Sequence, residues 1–300
     1  MFEHALVAVD MAPSGTFLVG CAPRLRALGV RRLTLLHVPP VDHPIAGAVA
    51  HMDEYREQLV AMAEELRGQG LEVATEVRPG SPSGEILGVA DAVEADLVLI
   101  GSRSRSLLRA AFVGSVALKV LKTSRLPVLF LRIEPDGDGV EAPLAVWCCP
   151  MDGPILLATD FSPASERAAS IASALARRGE GRALTVLHAV RGVSRSDGGA
   201  TRSGSGPGSG GRTEDGKEDP LELLAGTFRA EGVTNVETLF VEGEPADVIV
   251  AAASSAGPEP LLVMGTRGMG LIRRVALGSV SRDVIGRIRS PVLLVPEAPE

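Results

Sequence analysis

Short apolar runs alternate along this chain with segments whose apolar residues recur at helical spacing. The run Ile155–Thr159 is continuous and predicts a strand that is buried on both faces. Ser162 and Pro163 come next, and they suit the N-cap and the first position of a helix. That helix is predicted to run through Glu166–Arg178, and Gly179 ends it. The pattern therefore predicts a buried strand followed directly by a helix.

The same alternation continues to the end of the chain and also occupies the first half. The further elements predicted in the second half are strands Leu184–Val190, Val236–Val241, Leu261–Met264 and Val292–Val295, and helices Pro220–Ala230, Pro245–Ser254 and Val275–Ile288. The helices predicted in the first half lie near 16–28, 53–67, 83–94 and 112–124. This alternation is typical of α/β proteins with a parallel sheet, right-handed crossovers and helices on both faces. Ligands of such sheets bind beyond the carboxyl ends of the strands.

The two halves of the chain are copies of one unit. A fixed offset of 164 aligns residues 96–131 with residues 260–295 without a gap. The repeat is far longer than the ~20–50 residues of a solenoid, so it indicates duplicated domains. We predict domains at 1–133 and 154–296, joined by a linker at 134–153.

One segment of the second copy has no counterpart in this pattern. Residues 192–219 consist mainly of Gly, Ser and charged residues, which cannot bury enough apolar area to offset chain entropy. We predict a disordered insertion between the second strand and the second helix. It covers the predicted ligand edge or recruits a partner, or else it is tolerated surface disorder.

Charge and composition exclude several classes of function. The chain has 30 Lys and Arg against 37 Asp and Glu, a net charge of −7, and 3% aromatic residues. Such a chain is a poor match for nucleic acid or an anionic membrane. No apolar run reaches the ~18 residues of a membrane span, and we expect no signal peptide. Three Cys without a C-x-x-C motif predict buried or linker thiols in a reducing cytoplasm.

The candidate chemistry lies in a glycine motif after the fourth strand of the second copy. Gly265 and Gly268 follow that strand, and Gly278 and Ser279 lie at the start of the last helix. Glycines let backbone N–H groups approach an anion, and a helix N-terminus offers unpaired N–H groups at the positive end of its dipole. The Ser279 hydroxyl adds a donor. The motif fits a phosphate cradle, with tight turns and packing glycines as the alternative.

Other residues carry weaker signals. Asp160 and Asp10 follow the first strand of each copy, where a carboxylate accepts hydrogen bonds from ribose hydroxyls or caps the next helix. His37 and His188 occupy matching places near the end of the second strands, which favours a structural or pocket-wall role. The chain has no G-x4-G-K-[ST] motif and no set of catalytic residues that spacing alone would assemble. We therefore predict no catalytic and no metal-binding residues.

This constellation resembles the universal stress protein family. The pattern G-x2-G-x9-G-S, the opening LLATDFS, TVLHA at the second strand and the closing SPVLLVP carry the resemblance, which covers nearly all of both copies. It implies a tandem pair of five-stranded domains of the Rossmann-like, adenine nucleotide alpha hydrolase-like type. It also implies binding of ATP, with Mg²⁺, and no strong catalytic apparatus. The residues that it assigns to the nucleotide in the second copy are Ala158, Thr159, Asp160, Ala189, Met264, Gly265, Gly268, Gly278, Ser279 and Val280.

The first copy departs from the family pattern. Ser104 stands where the second glycine belongs, and its Cβ hinders a close backbone approach or a positive φ. Arg103, Arg105 and Arg109 either supply charge to phosphates or form a solvated basic loop. We expect weak or no nucleotide binding in this copy. The matching positions are Asp10, Val38, Ile100, Gly101, Gly114, Ser115 and Val116.

The resemblance implies a cytoplasmic protein of stress response or signalling whose ATP occupancy controls its conformation or its choice of partner. Two alternatives stay open, a slow ATPase and a protein-interaction module that binds no nucleotide. Members of the family commonly pair through their last strand, so Val128–Leu131 and Val292–Val295 are expected to pair within one chain. A homodimer of whole chains and an unknown protein partner also stay open.

Overall fold

Two successive sets of alternating strands and helices make up the fold. The computed structural model describes residues 1–39, 51–103, 113–135, 144–146, 151–191, 219–255, 260–268 and 277–298. The elements of the first half are β1 (His4–Ala8), α1 (Pro13–Cys21), a 3₁₀ helix (Ala22–Leu28), β2 (Arg32–His37), α2 (Met52–Gly68), β3 (Glu72–Val77), α3 (Pro82–Ala92), β4 (Leu97–Arg103), α4 (Ser115–Thr123) and β5 (Val128–Pro135). A short strand, β6 (Leu144–Val146), lies between the halves.

The second half repeats this order. Its elements are β7 (Ile155–Ala158), α5 (Pro163–Arg178), β8 (Leu184–Val190), α6 (Pro220–Ala230), β9 (Val236–Glu242), α7 (Pro245–Ser255), β10 (Leu261–Gly265), α8 (Ser279–Arg287) and β11 (Val292–Val295). The described strands of each half pair in parallel, which confirms two tandem five-stranded α/β domains of Rossmann-like type. The continuous apolar runs at β7, β10 and β11 are buried along their whole length, as strands covered on both faces require.

The two domains share one sheet. Its strand order is β3-β2-β1-β4-β5-β11-β10-β7-β8-β9, and β6 pairs with β5 beside this path. The joint is antiparallel, with Val292 opposite Phe130 and Leu294 opposite Val128. The expected pairing of the two last strands within one chain is therefore present. Because the joint is antiparallel, the carboxyl ends of the strands in the two domains lie at opposite edges of the sheet.

Helices cover both faces of this sheet and close two apolar layers. On one face α1, the 3₁₀ helix, α2, α5 and α6 pack through residues such as Leu25, Leu59, Ala172 and Phe228. On the other face α3, α4, α7 and α8 pack through Ile86, Val120, Ile249 and Val284. Each layer contains residues of both domains, so the cores are continuous across the joint.

Arg167 of α5 adds a polar contact at the joint. Its Nη1 donates to the carbonyl of Pro296 over 3.0 Å and lies 3.5 Å from the carbonyl oxygen of Arg125 in the first domain. Burial lowers the pKa of this guanidinium. These contacts hold α5 near the end of β11 and near the residues that precede β5.

Several predicted boundaries change. The helix predicted at 16–28 begins at Pro13 and turns from α to 3₁₀ after Cys21, where Pro23 has no N–H to continue the α-helical ladder. The helix predicted from Val275 begins at Ser279, and Gly278 precedes it in an extended conformation. Asp219, predicted as the last residue of the insertion, belongs to the start of α6, because its carboxylate accepts from the N–H of Leu221 and caps that helix. The remainder of the predicted insertion lies outside the described residues.

Cys21 corrects the expectation of free thiols. It is buried and forms a disulfide bond. Cys148 and Cys149 lie outside the described residues. The cysteine count therefore gives no argument for a reducing compartment.

Ser162 caps α5 as predicted, and its removal is expected to destabilise the protein. Its Oγ accepts from the N–H of Ser165, and the hydroxyl lies 2.6 Å from Asp160 Oδ1. Loss of an N-cap side chain costs about 1 kcal/mol. We expect Ser162→Ala to lower the free energy of unfolding by about that amount in urea titrations.

Ser170→Ala is the matched control, because Ser170 lies in the middle of the same helix and its hydroxyl donates only to the carbonyl of Glu166. Alanine is the better helix former there, so this variant should be neutral or slightly more stable. Equal losses in the two variants would contradict a capping role for Ser162.

Candidate functional site

A cavity of about 670 Å³ opens in the second domain at the carboxyl ends of β7, β8 and β10. This is the edge where parallel sheets bind ligands. The structure brings all ten residues predicted for the second copy to its walls: Ala158, Thr159, Asp160, Ala189, Met264, Gly265, Gly268, Gly278, Ser279 and Val280. Their contacts with a ligand stay a prediction.

The cavity has both apolar and polar lining residues. Leu187, Ile249, Met264 and Leu277 supply apolar lining, and all four side chains are buried. The glycine motif and the first turn of α8 supply polar backbone groups. A flat apolar group and an attached anion would each find a matching wall here.

Asp160 holds Ser162 at the start of α5 and also lines the cavity. Its Oδ1 accepts from the backbone N–H of Ser162 at 3.1 Å and from the Ser162 hydroxyl. A Cβ on Gly268 would lie 2.3 Å from Asp160 Oδ2. The carboxylate thus occupies the space that a side chain at position 268 would need. The interpretation of Asp160 and Asp10 as helix caps is wrong, because Ser162 and Ala12 are the N-cap residues of α5 and α1. Asp160 lies at the ligand edge, as the other interpretation requires, and its contact with ribose stays a prediction.

The first turn of α8 lines the cavity, and no side chain caps this turn. Gly278 is the N-cap residue, and its own N–H donates to the carbonyl of Thr266 at 2.8 Å. The Ser281 hydroxyl donates to the carbonyl of Gly265 at 2.9 Å and fixes the helix to the end of β10. An uncapped first turn presents N–H groups and a partial positive charge. An anion at this place would supply the missing cap.

Gly265 has a packing role that the sequence left open. A Cβ there would lie 3.0 Å from the N atom of Ser165 and 3.1 Å from Ala164. The end of β10 therefore approaches the first turn of α5 too closely for a side chain. For this glycine the packing explanation holds, whatever binds in the cavity.

Three arginines at the rim were not singled out from the sequence. Arg191, Arg267 and Arg282 all line the cavity. Arg191 follows β8 and donates from Nε and Nη2 to Glu244 at 3.0 and 2.9 Å. This partner raises the pKa of the Arg191 guanidinium. For Arg191 and Arg267 the available signal was a basic residue just after a strand, whereas Arg282 lies inside α8 and offered no such signal.

The first domain has a smaller cavity, of about 500 Å³, at the opposite edge of the sheet. The seven predicted residues line it: Asp10, Val38, Ile100, Gly101, Gly114, Ser115 and Val116. Leu18 and Ile133 also line it, and the Ile133 Cδ1 lies 2.7 Å from the place of a Cβ on Gly101. No arginine occurs among the described lining residues.

Polar contacts of the first cavity also differ from those of the second. The Ser14 hydroxyl lies 2.8 and 2.7 Å from the two oxygens of Asp10, so the carboxylate holds α1 directly. Gly114 donates its N–H to the Ser102 hydroxyl at 3.0 Å, whereas Gly278 donates to a backbone carbonyl. Ser104, Arg105 and Arg109 lie outside the described residues, as does the side chain of Arg103.

No group of three or more His, Cys, Asp or Glu is placed to hold a metal ion in the described ranges. Among the helices of the described residues, none has the length and apolar character needed to cross a bilayer.

Comparison with known proteins identifies the family. The model of the Universal stress protein family matches residues 1–132 and again residues 151–296. The chain belongs to the universal stress protein family.

Relatives and solved structures agree with this assignment. A universal stress protein of Mycobacterium tuberculosis is 28% identical over 285 residues, which cover 89% of this chain and 88% of the relative. One from Thermus aquaticus is 36% identical over 146 residues, covering 47% of this chain and 96% of the relative. The crystal structure of a universal stress protein from Archaeoglobus fulgidus matches 98% of both chains, with a TM-score of 0.73 and 23% identity, and supports the tandem fold.

Matching histidines brace both cavities of this universal stress protein. His37 Nδ1 donates to the carbonyl of Val9 at 2.9 Å, and His188 Nδ1 donates to that of Thr159 at 2.8 Å. His37 also lines the first cavity and stacks at a tilt against Tyr55, with ring centroids 4.7 Å apart. This geometry supports the structural role expected from the sequence.

Burial lowers the pKa of His37 below 6.5, although its bond to Val9 and the charge of Asp10 partly oppose the shift. The unfolded chain therefore takes up a proton below pH about 6.5, where the folded chain resists it. We expect the free energy of unfolding to fall between about pH 7 and 5. His37→Gln should reduce this loss in urea titrations at several pH values, and the part due to His4, whose pKa burial also lowers, should remain.

His51→Gln is the control, because the His51 side chain is exposed. This variant should keep the pH dependence of the parent protein. An unchanged slope in His37→Gln would show that His37 is not its source.

Proposed function

We propose that this universal stress protein binds ATP, with Mg²⁺, in the cavity of its second domain. Nucleotide occupancy then controls its conformation or its choice of protein partner. The observation that carries the proposal is the convergence of the glycine motif, Asp160 and the uncapped first turn of α8 on one cavity. We place the protein in the cytoplasm on the same ground, since its ligand would be an intracellular nucleotide.

The shape and polarity of the second cavity support a nucleoside triphosphate. Adenine would lie against the apolar lining beside Met264 and Ala189, and Asp160 would accept hydrogen bonds from the ribose hydroxyls. Phosphates would lie at the first turn of α8, with Arg267 and Arg282 on the same wall. A Cβ at position 268 would collide with the Asp160 carboxylate. Only glycine therefore fits at this part of the wall unless Asp160 moves.

Mg²⁺ would arrive with the nucleotide. It prefers oxygen ligands, keeps several waters and is commonly held by phosphates together with one or two carboxylates. Asp160 is the carboxylate on the described wall of this cavity. Phosphate oxygens and water would therefore supply most of the ligands, and Asp160 is needed for the ribose.

Differences between the two cavities support unequal binding. The first is smaller, and Leu18 and Ile133 crowd the glycine that matches Gly265. Of the rim arginines of the second, Arg282 matches Leu118 under the offset of 164, whereas Arg267 matches Arg103, whose side chain lies outside the described residues. Less space and the missing charge at position 118 both disfavour a triphosphate, so we propose one strong site per chain.

Calorimetric titration with ATP and Mg²⁺ tests the proposal, with Gly278→Asp and Gly114→Asp as a matched pair. A Cβ at Gly278 meets Thr266 O at 3.3 Å, and one at Gly114 meets Ser102 Oγ at 3.6 Å. Aspartate is a favourable N-cap, so both variants should fold. We expect one ATP per chain, more than a hundredfold weaker binding in Gly278→Asp because the new carboxylate repels phosphate, and near-normal binding in Gly114→Asp.

Each other outcome selects an alternative. Two ATP per chain would contradict the unequal sites, and normal binding by Gly278→Asp would contradict the assigned cavity. Sustained release of ADP over many turnovers would favour the slow ATPase. No binding heat and no shift in melting temperature would favour an interaction module that binds no nucleotide.

A further inference from the structure

A buried arginine of the first domain holds the helix that carries the proposed phosphate site of the second. Arg132 lies near the end of β5, and its side chain is buried. Its Nη1 donates to the carbonyl of Gly286 at 2.5 Å and lies 3.2 Å from the carbonyl of Ile285. Both carbonyls belong to the last turn of α8.

These bonds satisfy carbonyl groups at the end of α8. The last carbonyls of an α-helix have no partner within the helix. Ile285 and Gly286 are buried, so water cannot easily replace a missing donor. A cation at this end also interacts favourably with the helix dipole. Arg132 therefore determines where α8 ends relative to the sheet of the other domain.

The antiparallel joint explains how one residue can reach so far. Because β5 and β11 run in opposite directions, the carboxyl end of β5 lies beside the amino end of β11, where α8 ends. The nine residues of α8 then lead back to Gly278 and the second cavity, about 13 Å away. One helix thus links the joint between the domains to the proposed phosphate site.

The contact between Arg132 and α8 has no equivalent at the matching position of the second domain. Under the offset of 164, Pro296 stands at the position that matches Arg132. A proline side chain has no donor, so the matching position provides nothing to the end of α4. The helix with an arginine at its end is the one whose cavity we propose as the strong ATP site.

We propose that Arg132 is a positioning residue, which sets the affinity of the second domain for phosphate by fixing α8 at its far end. The ligand in this inference, ATP, comes from the proposed function. The role of Arg132 in holding α8 does not depend on that function. Arg132 touches neither cavity among the described lining residues, so its effect on a ligand is indirect, and its bonds to α8 provide a route for it.

ATP and adenosine distinguish positioning from general damage, because only ATP carries phosphate to the first turn of α8. We expect Arg132→Gln to weaken ATP binding about tenfold and adenosine binding less than twofold, by calorimetry. Arg132→Lys keeps the charge but not the planar fork, so it should lie between the two. Arg167→Gln is the control, since Arg167 also spans the joint but bonds to Pro296 and not to α8.

Two results would overturn the inference: unchanged ATP affinity in folded Arg132→Gln, or an equal loss of ATP and adenosine binding. Amide hydrogen exchange covers the case in which the parent protein binds no nucleotide. Without ligand, Arg132→Gln should speed exchange in α8 about tenfold and leave α4 unchanged, whereas Arg167→Gln should leave both unchanged. Unchanged exchange in α8 would then be enough to reject the positioning role of Arg132. Faster exchange in α8 would support that role even though the proposed ATP binding had failed.

Discussion

β5 and β11 exchange backbone hydrogen bonds in the middle of the sheet, and they run in opposite directions. Every strand of the second domain is therefore reversed relative to the first, and the two cavities open at opposite edges. The helices that precede the last strands, α4 and α8, each cross the sheet from one cavity toward the joint. The placement of Arg132 against α8 and of Arg167 beside the carbonyl of Arg125 follows from this single reversal.

The same strand, turn and helix produce two different cavities because the side chains around them differ. Ser162 caps α5, whereas α1 has Ala12 at its N-cap without a side-chain bond, and Ser14 binds Asp10 from within the first turn. Leu18 fills space in the first domain, where the repeat places the smaller Ala168 in the second. A shared backbone thus fixes where ligands meet the sheet, and local side chains set the size and charge of each site.

Much of this architecture could be predicted from the sequence, since its signals are local. Buried strands without polar positions, Ser162 before Pro163, and a repeat without gaps all report on neighbouring residues, and the strand pairing followed from the resemblance. Pro23 was also visible, but the change from α to 3₁₀ depends on how the chain turns toward β2. The rim arginines and Arg132 could not be assigned, because their roles depend on contacts across domains or across loops. The disulfide of Cys21 is a long-range feature of the same kind.

Both partners of the β5–β11 pairing belong to one polypeptide. In a pair of separate subunits, the equivalent joint would obey mass action, and dilution below the dissociation constant would open it. A covalent connection makes the encounter intramolecular, with an effective concentration set by the connecting segment. The joint therefore persists at any protein concentration, and its two sides need not stay identical. One side carries Arg132 and the other carries Pro296 at the matching position. A symmetric pair of identical chains cannot differ in this way.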